Sequence, residues 1–287
     1  MMLLAGTGEA AQKVLALQSY RVAPYEEALL GATSVMGASV KKLVLSEIEG
    51  IDIAKKIRQE RPDVILAIGS DALARVRKIK DTPIVYLMVL DPLDSLTNGD
   101  NITGISMNVA PERQMASFQS VMPRLKRVGL LYNPARSSQL FRKAQSAARG
   151  LGIEVVAREV RSSREVFSLL EGMKGEIDAF WMLPDSTVVT PVTVELLLLH
   201  CLNQRIPVLT FSDKYVEMGA LIALDLDPYD LGRQAGEQVR KILSGTPLRN
   251  ISRTDPRSTV LTVNAKIARK LGIPLSEETM GRARVIR

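Results

Sequence analysis

Short apolar runs recur along this chain, and most stop at a small polar or acidic cluster that opens a helix-like stretch. Val64-Ile65-Leu66-Ala67-Ile68 runs into Gly69-Ser70-Asp71, and Val128-Gly129-Leu130-Leu131 into Tyr132-Asn133-Pro134. Phe180-Trp181-Met182-Leu183 runs into Pro184-Asp185-Ser186-Thr187, and Pro207-Val208-Leu209-Thr210-Phe211 into Ser212-Asp213. Strand then helix, repeated, dictates an α/β fold of the doubly wound kind, a parallel sheet with helices on both faces. Such sheets bind ligands beyond the carboxyl ends of their strands. Hydroxyls, amides and carboxylates stand at those ends here, where a small polar molecule would bind.

At 287 residues the chain is too long for one typical core, so two lobes are expected. The first series of strands reads as Lys13–Gln18, Lys42–Leu45, Val64–Ile68, Ile84–Val89 and Ile102–Ile105. The second reads as Arg127–Leu131, Glu154–Ala157, Ala179–Leu183, Val208–Phe211 and Leu221–Leu226. A helix over Tyr229–Leu243, a strand near Thr259–Val263 and a helix over Ala265–Leu271 form a tail that can stitch the lobes together. The expected division is 13–107 plus 229–250 for lobe 1 and 108–228 plus 251–287 for lobe 2. Residues 1–12 read as an export-signal remnant or a featureless terminus. Leu4-Ala5-Gly6 resembles the start of a lipobox, but Thr7 stands where the lipid-bearing Cys would be, so no lipid anchor is expected on this chain.

Composition excludes several classes. No apolar run approaches 18 residues, so nothing is expected to span a membrane. The formal charge is +7, but Lys41-Lys42, Lys55-Lys56, Arg75-Arg77-Lys78-Lys80 and Arg282-Arg284-Arg287 are scattered and read as solvated helix faces. Aromatic residues are sparse and no recognition motif accompanies the basic residues, so no nucleic-acid partner is expected. The one cysteine, Cys201, and the one histidine, His200, sit in the apolar helix-like stretch Val192–Asn203 and read as structural. That leaves no Ser–His–Asp set and no metal cluster. No cofactor is expected, and the chain reads as a binder rather than an enzyme. Gly6-Thr7-Gly8-Glu9-Ala10-Ala11 matches G-x-G-x-x-A and keeps a nucleotide-dependent enzyme open as an alternative. Its context is poor, because the strand-like run Val14–Leu17 follows at once where a helix should.

The candidate ligand residues are Ser19 and Tyr20 after the first strand, Ser70 and Asp71 after the third, and Asp91 after the fourth. In the second series they are Asn133, Ser137, Ser138, Asp185, Ser186 and Ser212, with Asp227 after its last strand. Helix amides and hydroxyls would hold an anionic group, and Asp185 or Asp227 a cationic one. Each is equally a plausible helix cap taken singly. The recurrence lifts the group.

At these residues the chain resembles the ABC-transporter substrate-binding proteins of the tryptophan/tyrosine-binding type, which share the type I periplasmic binding protein fold. The matching segments are Pro83–Val85 through Asp91-Pro92, Asn101–Ser106, Arg127–Pro134, Asp185–Val189, Ile206–Val208, Gly219–Leu221 and Asp227–Gly232. Val263-Asn264 and Ala268–Ile273 follow. The resemblance implies two doubly wound lobes joined by a three-crossover hinge and closing on an amino-acid-like ligand, often aromatic. It implies an ABC permease as partner, a periplasmic or extracellular location, and a monomer. Ser70-Asp71-Ala72 departs from the family's Thr-Pro-Ala, and Pro184-Asp185-Ser186 from its Thr-Asp-Asn. A ligand-sensing module for a membrane receptor would share the same fold and pocket. A repressor core is disfavoured, because no helix-turn-helix precedes the first lobe.

Overall fold

The computed structural model describes residues 12–48, 50, 52–89 and 101–287. The Gly6–Ala11 turn and Asp91 lie outside them. In chain order the strands are β1 (Lys13–Gln18), β2 (Ser39–Val44), β3 (Val64–Ile68), β4 (Ile84–Val89), β5 (Ile102–Ser106), β6 (Arg127–Tyr132), β7 (Glu154–Glu159), β8 (Ala179–Trp181), β9 (Val208–Thr210), β10 (Ile222–Leu226), β11 (Thr259–Asn264) and β12 (Arg284–Ile286). The helices are α1 (Ala23–Met36), α2 (Ile53–Glu60), α3 (Ser70–Val76), α4 (Pro111–Val121), α5 (Pro134–Gly150), α6 (Val166–Glu171), α7 (Pro191–Asn203), α8 (Asp213–Glu217), α9 (Pro228–Leu243), α10 (Ala265–Leu271) and α11 (Glu277–Arg282).

Two compact units result. The first holds the described residues up to Asn108 with Asp227–Ser258, the second Val109–Leu226 with Thr259–Arg287. The first unit's sheet is parallel throughout, in the order β2-β1-β3-β4-β5. Both its faces are covered. Val14, Ala16, Leu66 and Val85 pack on α1 and α9, while Leu15, Leu17, Ile65 and Ile84 pack on α2 and α3. This is why β3 and β4 read as unbroken apolar runs: every residue in them is buried.

Helices α1 and α9 approach so closely that glycine is required at their contact. A Cβ on Gly232 would stand 1.9 Å from the Ala28 carbonyl oxygen, and one on Gly31 1.9 Å from that of Tyr229. Residues 227–228 and 251–258, expected in lobe 2, belong to the first unit. The reason is a strap of hydrogen bonds. Thr254 N donates to Gly104 O at 3.1 Å, Ser106 N to Thr254 O at 2.9 Å, and Gln238 Nε2 to Ser252 O at 3.1 Å. Arg257 then clamps Asp230 on α9.

The second unit's sheet runs β12-β11-β10-β9-β8-β6-β7. It is parallel except where β11 lies antiparallel to β10. The chain leaves this sheet at Leu226 and re-enters it at Thr259, which is Leu226's own register partner, so the returning strand must run backwards. The core on one face gathers Leu131, Phe180, Met182, Leu197, Cys201 and Ala223. On the other, fully buried Trp181 donates from Nε1 to Gln114 Oε1 at 3.1 Å and meets Phe118 edge to face at 6.1 Å.

Candidate ligand-binding site

The carboxyl ends of β6 and β8 are held together by one side chain. Asp185, 1% exposed, accepts from Asn133 N at 2.7 Å, Thr187 N at 2.7 Å and Val188 N at 3.3 Å, and also from the Ser137 hydroxyl. A carboxylate has about four acceptor positions, and these four donors fill them. Asp185, expected to meet a ligand ammonium, is therefore an internal organiser of the strand ends. Its effect on the neighbours is direct. Ser137 takes φ −125° and breaks the first turn of α5 away from the rest. Asn133 caps that turn, accepting from Ala135 N at 3.0 Å, and donates from Nδ2 to Thr187 Oγ1 at 2.9 Å. Ser186 is left exposed, and its hydroxyl accepts from the Arg136 guanidinium at 3.0 Å. Ser138, next along α5, is half-buried.

A second polar group closes the end of β9. Ser212 hydrogen-bonds the Asp225 carboxylate, which also accepts from Asp213 N at 2.9 Å and Leu226 N at 2.6 Å. Burial raises the Asp225 pKa above its ordinary range, against the pull of these donors. Phe211 and Tyr215 stand beside it, edge to face at 5.4 Å.

In the first unit the sequence candidates divide. Ser19 is buried and spent. Its hydroxyl accepts from Ala72 N at 3.0 Å and donates to Ile68 O at 3.3 Å, tying β1 to α3. Gly69 makes room for it: its φ is +95°, and a Cβ there would come within 2.5 Å of the Ser19 oxygen. Tyr20 is 51% exposed and donates to Asp71 Oδ2 at 2.6 Å, a bond that raises the phenol pKa. Ser70 is exposed on the first turn of α3. Asp227 caps α9, with Oδ1 accepting from Asp230 N at 3.0 Å, and is half-buried.

Other features fall elsewhere. A groove of about 600 Å³ passes Arg127, Glu154 and Glu176. It runs along the edge strand β7 from Glu154 to Arg158. Cys201 is buried, and burial pushes its thiol up to about 12. His200 is buried edge to face with Phe167 at 5.1 Å.

A family model described as ABC transporter substrate binding protein matches residues 45–286. The chain belongs to that family. Its fold is that of type I binding proteins. The ligand-free, open structure of a substrate binding protein with adhesive properties from Clostridium difficile superposes with a TM-score of 0.83 at 21% identity, covering 96% of this chain and 99% of that one. The ABC domain in complex with L-Trp from Streptococcus pneumonia gives a TM-score of 0.67 at 21% identity, covering 96% and 100%. A leucine binding protein from Thermotoga maritima gives 0.55 at 14% identity, covering 91% and 87%. A tyrosine-binding protein of Clostridioides difficile (strain R20291) is 26% identical over 221 residues, 74% of this chain and 64% of that relative's length. The family is one of substrate-binding proteins, not of enzymes.

Three residues of this substrate-binding protein, Arg136, Phe211 and Tyr215, escape a reading by strand ends. Arg136 looks in sequence like any basic residue in a helix. Asp225 stands with Asp227 at the end of a strand, where either carboxylate reads as a partner for a ligand ammonium; its bonds to Ser212 and to the Asp213 and Leu226 amides are what the sequence does not show. Phe211 and Tyr215 are four apart, a helical spacing, although only Tyr215 is in a helix.

Proposed function

We propose that this chain is the extracytoplasmic receptor of an ABC importer. It captures a small zwitterionic amino acid with an aromatic side chain by hinge closure and passes it to the ABC permease. The observation that carries this reading is the Asp185 cluster, which sets Arg136, Ser186 and Thr187 at the exposed carboxyl end of the second sheet. The Arg136 guanidinium and the first turn of α5 would hold the ligand carboxylate, since a charge-assisted hydrogen bond favours an anion there. Asp227, with one carboxylate oxygen free of the cap, would receive the ammonium, helped by Asp71. Phe211 and Tyr215 would offer an aromatic edge to the ligand side chain. Tyr20 and Ser70 would contribute from the first unit. The names of two relatives, a tyrosine-binding protein and an L-Trp complex, support the aromatic class.

Calorimetric titration of the ligand-stripped protein with the common amino acids tests the proposal. Saturable binding confined to tyrosine, tryptophan or phenylalanine is expected. Arg136→Gln should weaken it by roughly ten- to a hundredfold, the worth of one hydrogen bond to a charged group, with little change in melting temperature. Binding of a sugar or nucleotide with no amino-acid response would overturn the reading.

A further inference from the structure

The basic residues that look scattered along the chain are gathered by the fold. Residues 52–81 hold eight Lys and Arg against five Asp and Glu, a net +3. These residues form α2, β3 and α3 with their flanking turns. Helices α2 and α3 lie on one face of the first sheet, Ile53 and Ile57 inward beside Leu73 and Val76. Their outer side presents Lys55, Arg58, Arg61, Arg75, Lys78 and Lys80, all exposed and without an ion pair among the described residues.

The nearby acids offset part of this charge, and one is paired. Glu60 is shared by Lys41 at 2.8 Å and Lys56 at 3.0 Å. Asp63 accepts from Lys13 N at 2.8 Å, Asp52 caps α2 through Lys55 N at 3.1 Å, and Asp71 is bound by Tyr20. Asp81 stands exposed at the edge. A patch of excess positive charge on one helical layer attracts a partner of opposite sign.

We propose that this α2–α3 face is an electrostatic docking surface for an anionic phospholipid membrane. Three features favour lipid over nucleic acid or an acidic protein. The two helices carry no aromatic side chain on which a base could stack. Long Lys and Arg stems place their charges outward, which suits a plane of headgroups. The family serves a transporter, so a membrane is at hand. Each Lys or Arg near an anionic surface strengthens partition roughly fivefold, and the attraction falls off within a Debye length of about 8 Å at physiological salt. The proposal stands apart from the identity of the transported ligand.

Vesicle sedimentation of the full chain tests it. Vesicles of phosphatidylglycerol with phosphatidylcholine should pull the protein down at low salt, and vesicles of phosphatidylcholine alone should not. Raising salt to 0.5 M should release it. Reversing Lys55, Arg58, Arg75 and Lys78 to Glu together should cut partition by on the order of a hundredfold or more. These side chains are exposed, so the melting curve and amino-acid binding should be unchanged. A control reversing Arg142, Lys143 and Arg149, exposed on α5 of the other unit, should keep most of the binding. No sedimentation with anionic vesicles at low salt would overturn the proposal. So would equal loss in both variants, since net charge alone would then account for it. Capture by immobilised polyglutamate without vesicle binding would assign the face to an acidic protein instead.

Discussion

Asp185 shows how one residue can organise strand ends while its own acceptor positions are filled from within. Its four donors come from two strand ends and from the broken first turn of α5, so the carboxylate sets where Asn133, Ser186 and Thr187 stand. Asp185→Asn keeps the shape but turns an amide NH₂ toward groups that are themselves donors. A loss of about 2–3 kcal/mol is expected from the unmet bonds, read as a lower urea midpoint, with ligand affinity falling in parallel. Undiminished stability would show that the cluster rearranges freely. Asp230 makes a different case. The Arg257 guanidinium holds its carboxyl below the ordinary 3.8. Between the folded and unfolded pKa values the unfolded chain binds more protons, so this pair's contribution is present above the unfolded value and is lost as pH falls through the folded one. Arg257 is exposed and solvent screens the pair, so the effect is small. In Arg257→Gln the urea midpoint should fall less steeply with acid below pH 4 than in the parent. Parallel curves would rule out the pair as a source of acid sensitivity.

At the scale of elements, the strands were legible because burial on both faces leaves a mark that composition alone can carry. β3 begins and ends where its apolar run does, and β1 and β4 have the bounds read from the sequence. Partly exposed edge strands were read less well. β2 starts at Ser39 because its first residues pair with β1 although they alternate in exposure. β12 and α8 are too short to leave a period. The packing of α1 on α9 was invisible, since Gly31 and Gly232 become informative only once the two helices face each other. That contact yields a paired prediction. Gly232→Ala gains helix propensity of up to about 1 kcal/mol, but its Cβ meets the Ala28 backbone at 1.9 Å, and a rigid backbone must shift. A net destabilisation of about 2 kcal/mol or more is expected. Gly281→Ala in α11, with open space around it, should instead stabilise by about 0.5–1 kcal/mol. Thermal denaturation of the two variants separates them, and equal signs would remove the close-packing argument.

At the scale of the molecule, the succession of strands along the chain could be read, and so could the residues after them, but not which of those residues had spare bonding capacity. Ser19, Asn133 and Asp185 follow strands and Ser137 lies in the first turn of α5, yet their hydrogen bonds are spent within their own units. Sequence position cannot distinguish a polar group that faces a ligand from one that organises its neighbours, because both are Ser, Asn or Asp after an apolar run. The chain passes between the two units three times, at 108/109, 226/227 and 258/259. Trp181 is the only tryptophan and lies in the second unit, so its emission reports that unit alone. Far-UV dichroism reports both. A ligand held by both units, at about 100 times its dissociation constant, stabilises the binding-competent molecule by about 2.7 kcal/mol. Both probes should then shift to higher urea together. If only the Trp181 transition moved, the ligand would belong to the second unit by itself. Asp227, Asp71 and Tyr20 would then drop out of the proposed site, leaving Arg136 and Ser186 as its chemistry.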